Sequence, residues 1–236
     1  MSGIKGKLLI LLLGFSLSLF SQTPKPPNLV LMDYQQFHFG YSVGINFMSF
    51  TVIEKPGYKA DLVQYPGLNI NLVTNYRLGK NLDIRALPGI QFCQRDLTIE
   101  KTDSKISQTW QIESVYVDFP FDLKYRADRV NNYAPYLIVG FCPRLELLGG
   151  TLNQWKPGPK MLQLFDAYPE LGFGIDFYMQ DVKVAAELKF SVSLFNAFRD
   201  LSQDPGYSSV ATGYANYVYG VEEITSRMVI LAIHIE

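Results

Sequence analysis

The chain is poor in the residues that perform chemistry. Its 236 residues include only two cysteines and two histidines. Cys93 and Cys142 are too few for a disulfide framework and lack metal-site spacing, so they read as plain buried thiols. No Gly-x-Ser-x-Gly elbow, no His-Glu-x-x-His pair and no glycine-rich phosphate loop occurs. The formal net charge of −1 gives nucleic acid no electrostatic hold. Beyond the N-terminus there is no run near the roughly 18 apolar residues that a spanning helix requires. Neither a cofactor nor a small-molecule substrate is expected, and any crossing of a membrane must be made by strands.

What the chain does have is aromatic residues, 15 Tyr and 16 Phe, and alternation. Residues 113–126 place Val115, Val117, Phe119, Phe121, Leu123 and Tyr125 on one side of an extended chain. Ser114, Tyr116, Asp118, Asp122, Lys124 and Arg126 fall on the other side, the period of two that marks a strand. In a soluble sandwich the apolar face would look inward. In a membrane barrel it would look into lipid, with the charges in the lumen.

The rest of the chain decides between these. Lys5 and Lys7 precede an uncharged apolar core at 8–20, with Ser21 as the cleavage position, so residues 1–21 read as an export signal. No cysteine follows that core, which argues against a lipid anchor. Residues 22–36 form a proline-rich leader, and the barrel occupies 37–236. Eight alternating segments are predicted, at 37–47, 68–78, 82–95, 113–126, 135–147, 168–179, 182–194 and 227–236. The last is apolar on both sides. Connections after the second, fourth and sixth segments are short, whereas 51–67, 96–109, 149–167 and 195–226 read as long loops. Such sorting is a property of outer-membrane barrels, with turns in the periplasm and loops outside. It predicts an all-β, eight-stranded antiparallel up-and-down barrel in the outer membrane, lipid its first partner and both termini periplasmic.

The inward faces carry Arg77, Arg85, Arg95, Lys124, Arg126, Arg144, Lys183 and Lys189 against Asp83, Asp118, Asp122, Glu146, Glu170, Asp176 and Glu187. Near balance is what charges sealed in a narrow tube require, because an unpaired buried ion is costly. Eight strands enclose a space just filled by side chains, so the lumen is expected to be packed with ion pairs and closed to diffusion. Function then falls to the loops, the periplasmic rim or the lipid-facing wall. Pro88, Pro120 and Pro143 each remove a ladder donor in consecutive strands, marking bulges or a weakened strip of wall. His38 and His234 lie on the first and last strands, where they could meet across the closing seam with Glu236 nearby. They read as residues of the periplasmic rim, and no enzyme is predicted. Among the loop aromatics, Trp155, Tyr207, Tyr214, Tyr217 and Tyr219 are candidates for partner contact, because tyrosine among small residues makes amphipathic contact area readily. The alternative is an interfacial girdle.

Several short motifs occur along the chain: Pro27-Asn28-Leu29, His38-Phe39-Gly40-Tyr41 with Gly44-Ile45-Asn46, Leu87-Pro88-Gly89-Ile90 with Arg95-Asp96-Leu97, Glu113-Ser114 with Phe119-Pro120, and Arg129-Val130-Asn131-Asn132 before Pro135-Tyr136. Together they resemble the PorT family of outer-membrane barrels associated with type IX protein secretion. The ending His234-Ile235-Glu236 departs from the terminal aromatic common in such barrels. The resemblance implies a non-catalytic accessory of the secretion machinery, with other type IX components as partners. The alternatives are a general structural or adhesive small barrel and, third, a lipid-modifying enzyme.

Overall fold

The computed structural model describes residues 28–29, 35–104, 106–148, 160–201 and 216–236. The expected export signal and most of the leader, with Trp155, Tyr207 and Tyr214, lie outside these. Eleven strands form one antiparallel sheet: β1 (Phe37–Glu54), β2 (Tyr58–Gln64), β3 (Pro66–Arg77), β4 (Leu82–Ala86), β5 (Gly89–Lys101), β6 (Ile106–Asp118), β7 (Phe121–Arg126), β8 (Tyr133–Glu146), β9 (Phe165–Tyr178), β10 (Lys183–Val192) and β11 (Val221–Ile235).

The eleven strands make eight staves. β2 and β3 together pair along β5, β4 and β5 form one stave, and so do β6 and β7. β8 pairs with both β6 and β7 on one side and with β9 on the other. β9, β10, β11 and β1 then follow in order, and β1 returns to β3. The ring is closed, which leaves no continuous sheet edge in lipid.

Two of the staves break at prolines. β4 ends before Leu87-Pro88 and β6 ends before Phe119-Pro120, whereas Pro143 sits within β8. The carbonyls there remain bonded across the wall: Leu72 N donates to Pro88 O (2.9 Å), Leu87 N to Pro120 O (3.0 Å) and Phe119 N to Pro143 O (3.1 Å). The prolines thus lie along one diagonal, where each keeps an acceptor and lacks a donor.

The outer surface of the lower barrel is apolar. On β1 the row Phe37, Phe39, Tyr41, Val43, Ile45 and Phe47 is exposed, and beside it on β11 so are Val229, Leu231 and Ile233. Ten strand steps tilted by about 40° rise about 25 Å, the height of an outer-membrane hydrocarbon band. Inside, at the same height, Ser42, Asn46, Asn69, Asn71, Arg85, Lys124, Asp176 and Glu187 are buried.

Above this band the polarity exchanges while the alternation continues. On β5, Ile90 and Phe92 face out and Gln91 and Arg95 face in; further along, Asp96, Thr98 and Glu100 face out and Leu97 and Ile99 are buried. β6 repeats the pattern, with Trp110 and Ile112 inside and Gln111 outside. Stretches 51–67 and 96–109, expected as loops, are therefore mostly strand. They carry β1 to Glu54 along β11 and β2 along β5, and they close the β5–β6 hairpin, whose ladder reaches Lys101. These hairpins project beyond the bilayer as an ordinary half-buried sheet, apolar inside and polar outside. The other two connections keep their length.

Ile233→Arg, deep in the lipid-facing row, is expected to lower the unfolding free energy by about 2–4 kcal/mol. Gln111→Arg, on the outer face of a projecting hairpin, is expected to change it by less than about 0.5 kcal/mol. Urea titration of the barrel in lipid vesicles, followed by tryptophan fluorescence, measures both.

Candidate functional site

Three regions have a chemical character of their own: the lumen, the apolar cap above it, and the rim at the end that carries the termini.

In the lumen the strand period aims the charged residues of β3, β4 and β7 to β10 at one another. Arg85 reaches Glu187 at 2.6 Å and Asp122 at 3.1 Å. Asp122 also meets Lys189 at 2.9 Å, which bonds Glu170 at 3.0 Å, and Glu170 meets Arg144 at 2.8 Å. Lys124 pairs with Asp176 at 2.8 Å while its ammonium lies 3.8 Å from the centre of the Tyr136 ring. Nearer the terminal end, Arg77 faces Asp83 at 3.5 Å and Lys183 holds Glu236 at 2.6 Å. Arg126 donates to the Tyr178 hydroxyl. Asp118 accepts from Gln91 at 2.7 Å and from Asn71, and Glu146 accepts from the amides of Val115 and Leu148. Glycines make the room: a Cβ on Gly140 would sit 2.0 Å from Asp122 Oδ1.

Both histidines belong to this interior. His234 Nε2 lies 3.3 Å from Glu187, and His38 is buried on β1. His234 stands opposite Ser42, four residues along β1 from His38, so the two are not cross-strand partners at the seam. The interfacial placement expected for them is corrected: on both strands the period turns them inward.

Above the ion pairs the lumen is apolar. Phe50, Leu97, Ile99, Trp110 and Ile112 from the projecting hairpins meet Met161 and Leu162 from one loop and Leu201, Tyr217 and Val218 from another. Tyr217 is fully buried, its ring edge-on to Trp110 at 5.9 Å and its hydroxyl donating to Met161 O. Burial raises the phenol's pKa. Tyr217 is therefore a packing residue and unavailable for partner contact, a correction to the sequence reading; Tyr219, two residues on, is 57% exposed. The cap went unnoticed in the sequence because its strands read as loops.

At the terminal end, residues far apart in sequence meet. The amide of Asn28 donates to Asn132 Oδ1 (2.8 Å), and Asn28 Nδ2 to the Tyr178 carbonyl (3.1 Å). Arg129 donates to the Asn28 carbonyl, to Asn132 Oδ1 (2.8 Å) and to Asn131 O (2.8 Å). Its guanidinium lies 3.8 Å from the centre of the Tyr178 ring. Asn131 has φ of 54°, in the left-handed region that asparagine tolerates. In the same turn the Asp128 carboxyl is held below its usual range by hydrogen bonds from Lys80 (2.9 Å) and Asn81 (3.1 Å).

Residues 20–199 match the family model for the outer membrane protein β-barrel domain. The chain belongs to that family. Among solved structures, the outer membrane protein OprG from Pseudomonas aeruginosa aligns with 85% of this barrel's chain and 96% of its own, at 10% identity and a TM-score of 0.50. Two further structures each align with 85% of the chain: Neisserial surface protein A, over 98% of its length at 11% identity and a TM-score of 0.39, and the attachment invasion locus protein Ail of Yersinia pestis, over 99% of its length at 12% identity and a TM-score of 0.32. At such identities the likeness to OprG is one of fold alone. Among curated proteins, none matches the chain. This is a small outer-membrane β-barrel, embedded in the bilayer by the apolar rows already described.

Lys189→Met removes a cation shared by Asp122 and Glu170 and is expected to destabilise the barrel by about 3–5 kcal/mol. Lys189→Arg, which keeps the charge, is expected to retain most of that stability. Denaturant midpoints in vesicles distinguish the two.

Proposed function

We propose that this barrel is a non-catalytic accessory or assembly component of the type IX secretion machinery, with both termini in the periplasm and its partners met at the periplasmic rim and on the loops. One observation carries the reading. Two of the motifs in which the chain resembles PorT barrels, around Asn28 and across residues 129–132, lie 101 to 104 positions apart and are bonded to each other at the terminal end. Residues so distant have no local reason to share a motif set unless the place where they meet matters.

The interior supports a role through surfaces. Among the described residues, ion pairs occupy its lower half and apolar side chains its upper half, which favours a role for the surfaces over diffusion through the lumen. Arg129 and Asn132 are the residues assigned to keep the rim in shape, and Tyr219 is a contact residue on the loops.

Deletion of the barrel is expected to abolish release of type IX cargo while leaving lipid A unmodified relative to the parent. Normal cargo release in the deletion strain would reject the proposal, and defects confined to envelope integrity or surface adhesion would favour a general structural barrel instead. In a complemented strain, Arg129→Ala is expected to reduce co-purification of secretion components several-fold in mild detergent. The barrel's heat-modifiable migration, a measure of folding, should be unchanged.

A further inference from the structure

β1 and β2 are joined by the short turn Lys55-Pro56-Gly57, yet among the described residues no ladder links them. β1 runs along β11 there and β2 along β5. The cause lies where β2 passes into β3. Tyr65 stands opposite Gln94 and Leu68 opposite Phe92, so Pro66 and Gly67 together face Cys93 alone, which is a β-bulge. It shifts the outward row from Leu68 and Ile70 on β3 to Lys59, Asp61 and Val63 on β2. The last pair of the β1–β3 ladder is Phe47 with Pro66, and above it, past the apolar band, the wall is split.

Alternation identifies the main-chain groups that line the split. Arg77 N donates to Gln36 O (2.8 Å), so even-numbered residues of β1 face β3 and, higher up, Met48, Phe50 and Val52 face β2. Tyr65 N donates to Gln94 O (3.1 Å), so odd-numbered residues of β2 face β5, and Ala60 and Leu62 face β1. The amides of these two donate to side chains in place of strand carbonyls. Ala60 N bonds Glu54 Oε1 at 2.6 Å and Leu62 N bonds Asp61 Oδ1 at 3.0 Å. Charged groups standing guard are a device by which an open strand edge avoids indiscriminate pairing.

Two edges of one split, both lined with main-chain donors and acceptors, suit one kind of ligand: another extended chain. Its side chains would alternate between two environments. Toward the interior lie Val52, Tyr58, Ala60 and Leu62, packed against the apolar cap. Toward water, the outer faces of β2 and β5 carry Asp61, Asp96 and Glu100 against Lys59, with Glu54 at the turn. An incoming strand takes over the amides of Ala60 and Leu62 and so releases Glu54 and Asp61. Those carboxylates then pair with cations on the strand's outer side.

We propose that the split between β1 and β2 receives an extended segment of a partner polypeptide as an added strand, with apolar side chains toward the cap and basic side chains outward among Glu54, Asp61 and Asp96. About five to seven residues, at about 3.3 Å each, cover the two edges. The edges belong to the barrel itself, so the proposal stands whether or not the type IX reading holds.

A labelled peptide, Lys-Val-Arg-Val-Lys-Val-Arg-Val-Lys, tests it against the full chain in phosphatidylcholine vesicles, whose zwitterionic surface does not hold a basic peptide. By fluorescence anisotropy it is expected to bind at least about tenfold more tightly than the same peptide N-methylated at alternate residues, which cannot pair along one edge. A counterpart with Glu at every Lys and Arg position is expected to bind at least about tenfold more weakly. Ala60→Pro removes a donor from the open edge and spares the groups that face β5, so it is expected to lower affinity at least about tenfold. Hydrogen exchange of the unaltered barrel should show new protection on binding at residues 48–52 and 60–64. Equal binding of the N-methylated or acidic peptide, protection confined to other strands, or no binding above empty vesicles would each overturn the proposal. Heat-modifiable migration confirms that Ala60→Pro is folded before its affinity is read, and the peptide series and the exchange pattern decide the matter without it.

Discussion

Closure of the hydrogen-bonded ring is the constraint on which everything else rests. Within hydrocarbon no water repairs an open backbone edge, so the staves must return on themselves, and β1 pairs with both β3 and β11 to do so. Once the ring is shut, eight staves enclose a volume that side chains must fill. Polar residues placed inside have only one another as partners, and the chain of contacts from Arg85 through Asp122, Lys189 and Glu170 to Arg144 follows. The diagonal of prolines is tolerable for the same reason: each lost donor is embedded in a wall otherwise bonded on both sides.

The part of the fold legible in the sequence is the part that lies in lipid. There the alternation is strict and its sense constant, as at Phe121, Leu123 and Tyr125 against Asp122, Lys124 and Arg126, and the facing of each lower stave follows from it. The projecting hairpins were harder for a physical reason. Leu97, Ile99, Trp110 and Ile112 keep the same period as Gln91 and Arg95 but exchange chemistry with their neighbours, so a template of polar-inside residues ends where the bilayer ends. The histidines failed differently: imidazole suits both the rim and an ion-lined lumen, and only the register on β1 and β11 distinguishes the two.

In the candidate sites the members were legible and the partnerships were not. Composition and parity place Arg85 and Glu187 in the lumen, yet 102 positions separate them, and only the order of staves brings them together. Tyr217 illustrates the converse. Tyrosines among small residues resemble a contact surface, and nothing local distinguishes the one that turns down into the cap from Tyr219, which turns out. At the rim, Asn28 and Arg129 stood out as fragments of a resemblance, and their contact emerges only when the turn after β7 comes beneath the β9 terminus.

The level at which the polarity exchanges fixes the molecule's depth. Phe47 and Val229 close the greasy belt on one side, and Ser49 with Arg227 begins the wet wall directly above; Phe92 and Val115, then Gln94 and Glu113, repeat that step farther round the ring. A shift of the barrel by one such step would carry Arg227 and Glu113 into acyl chains while pushing Phe37, at the opposite end of the row, out into water. The cylinder therefore behaves as a float with a painted waterline: it can rotate and drift sideways in the membrane, but it resists being pushed or pulled through it.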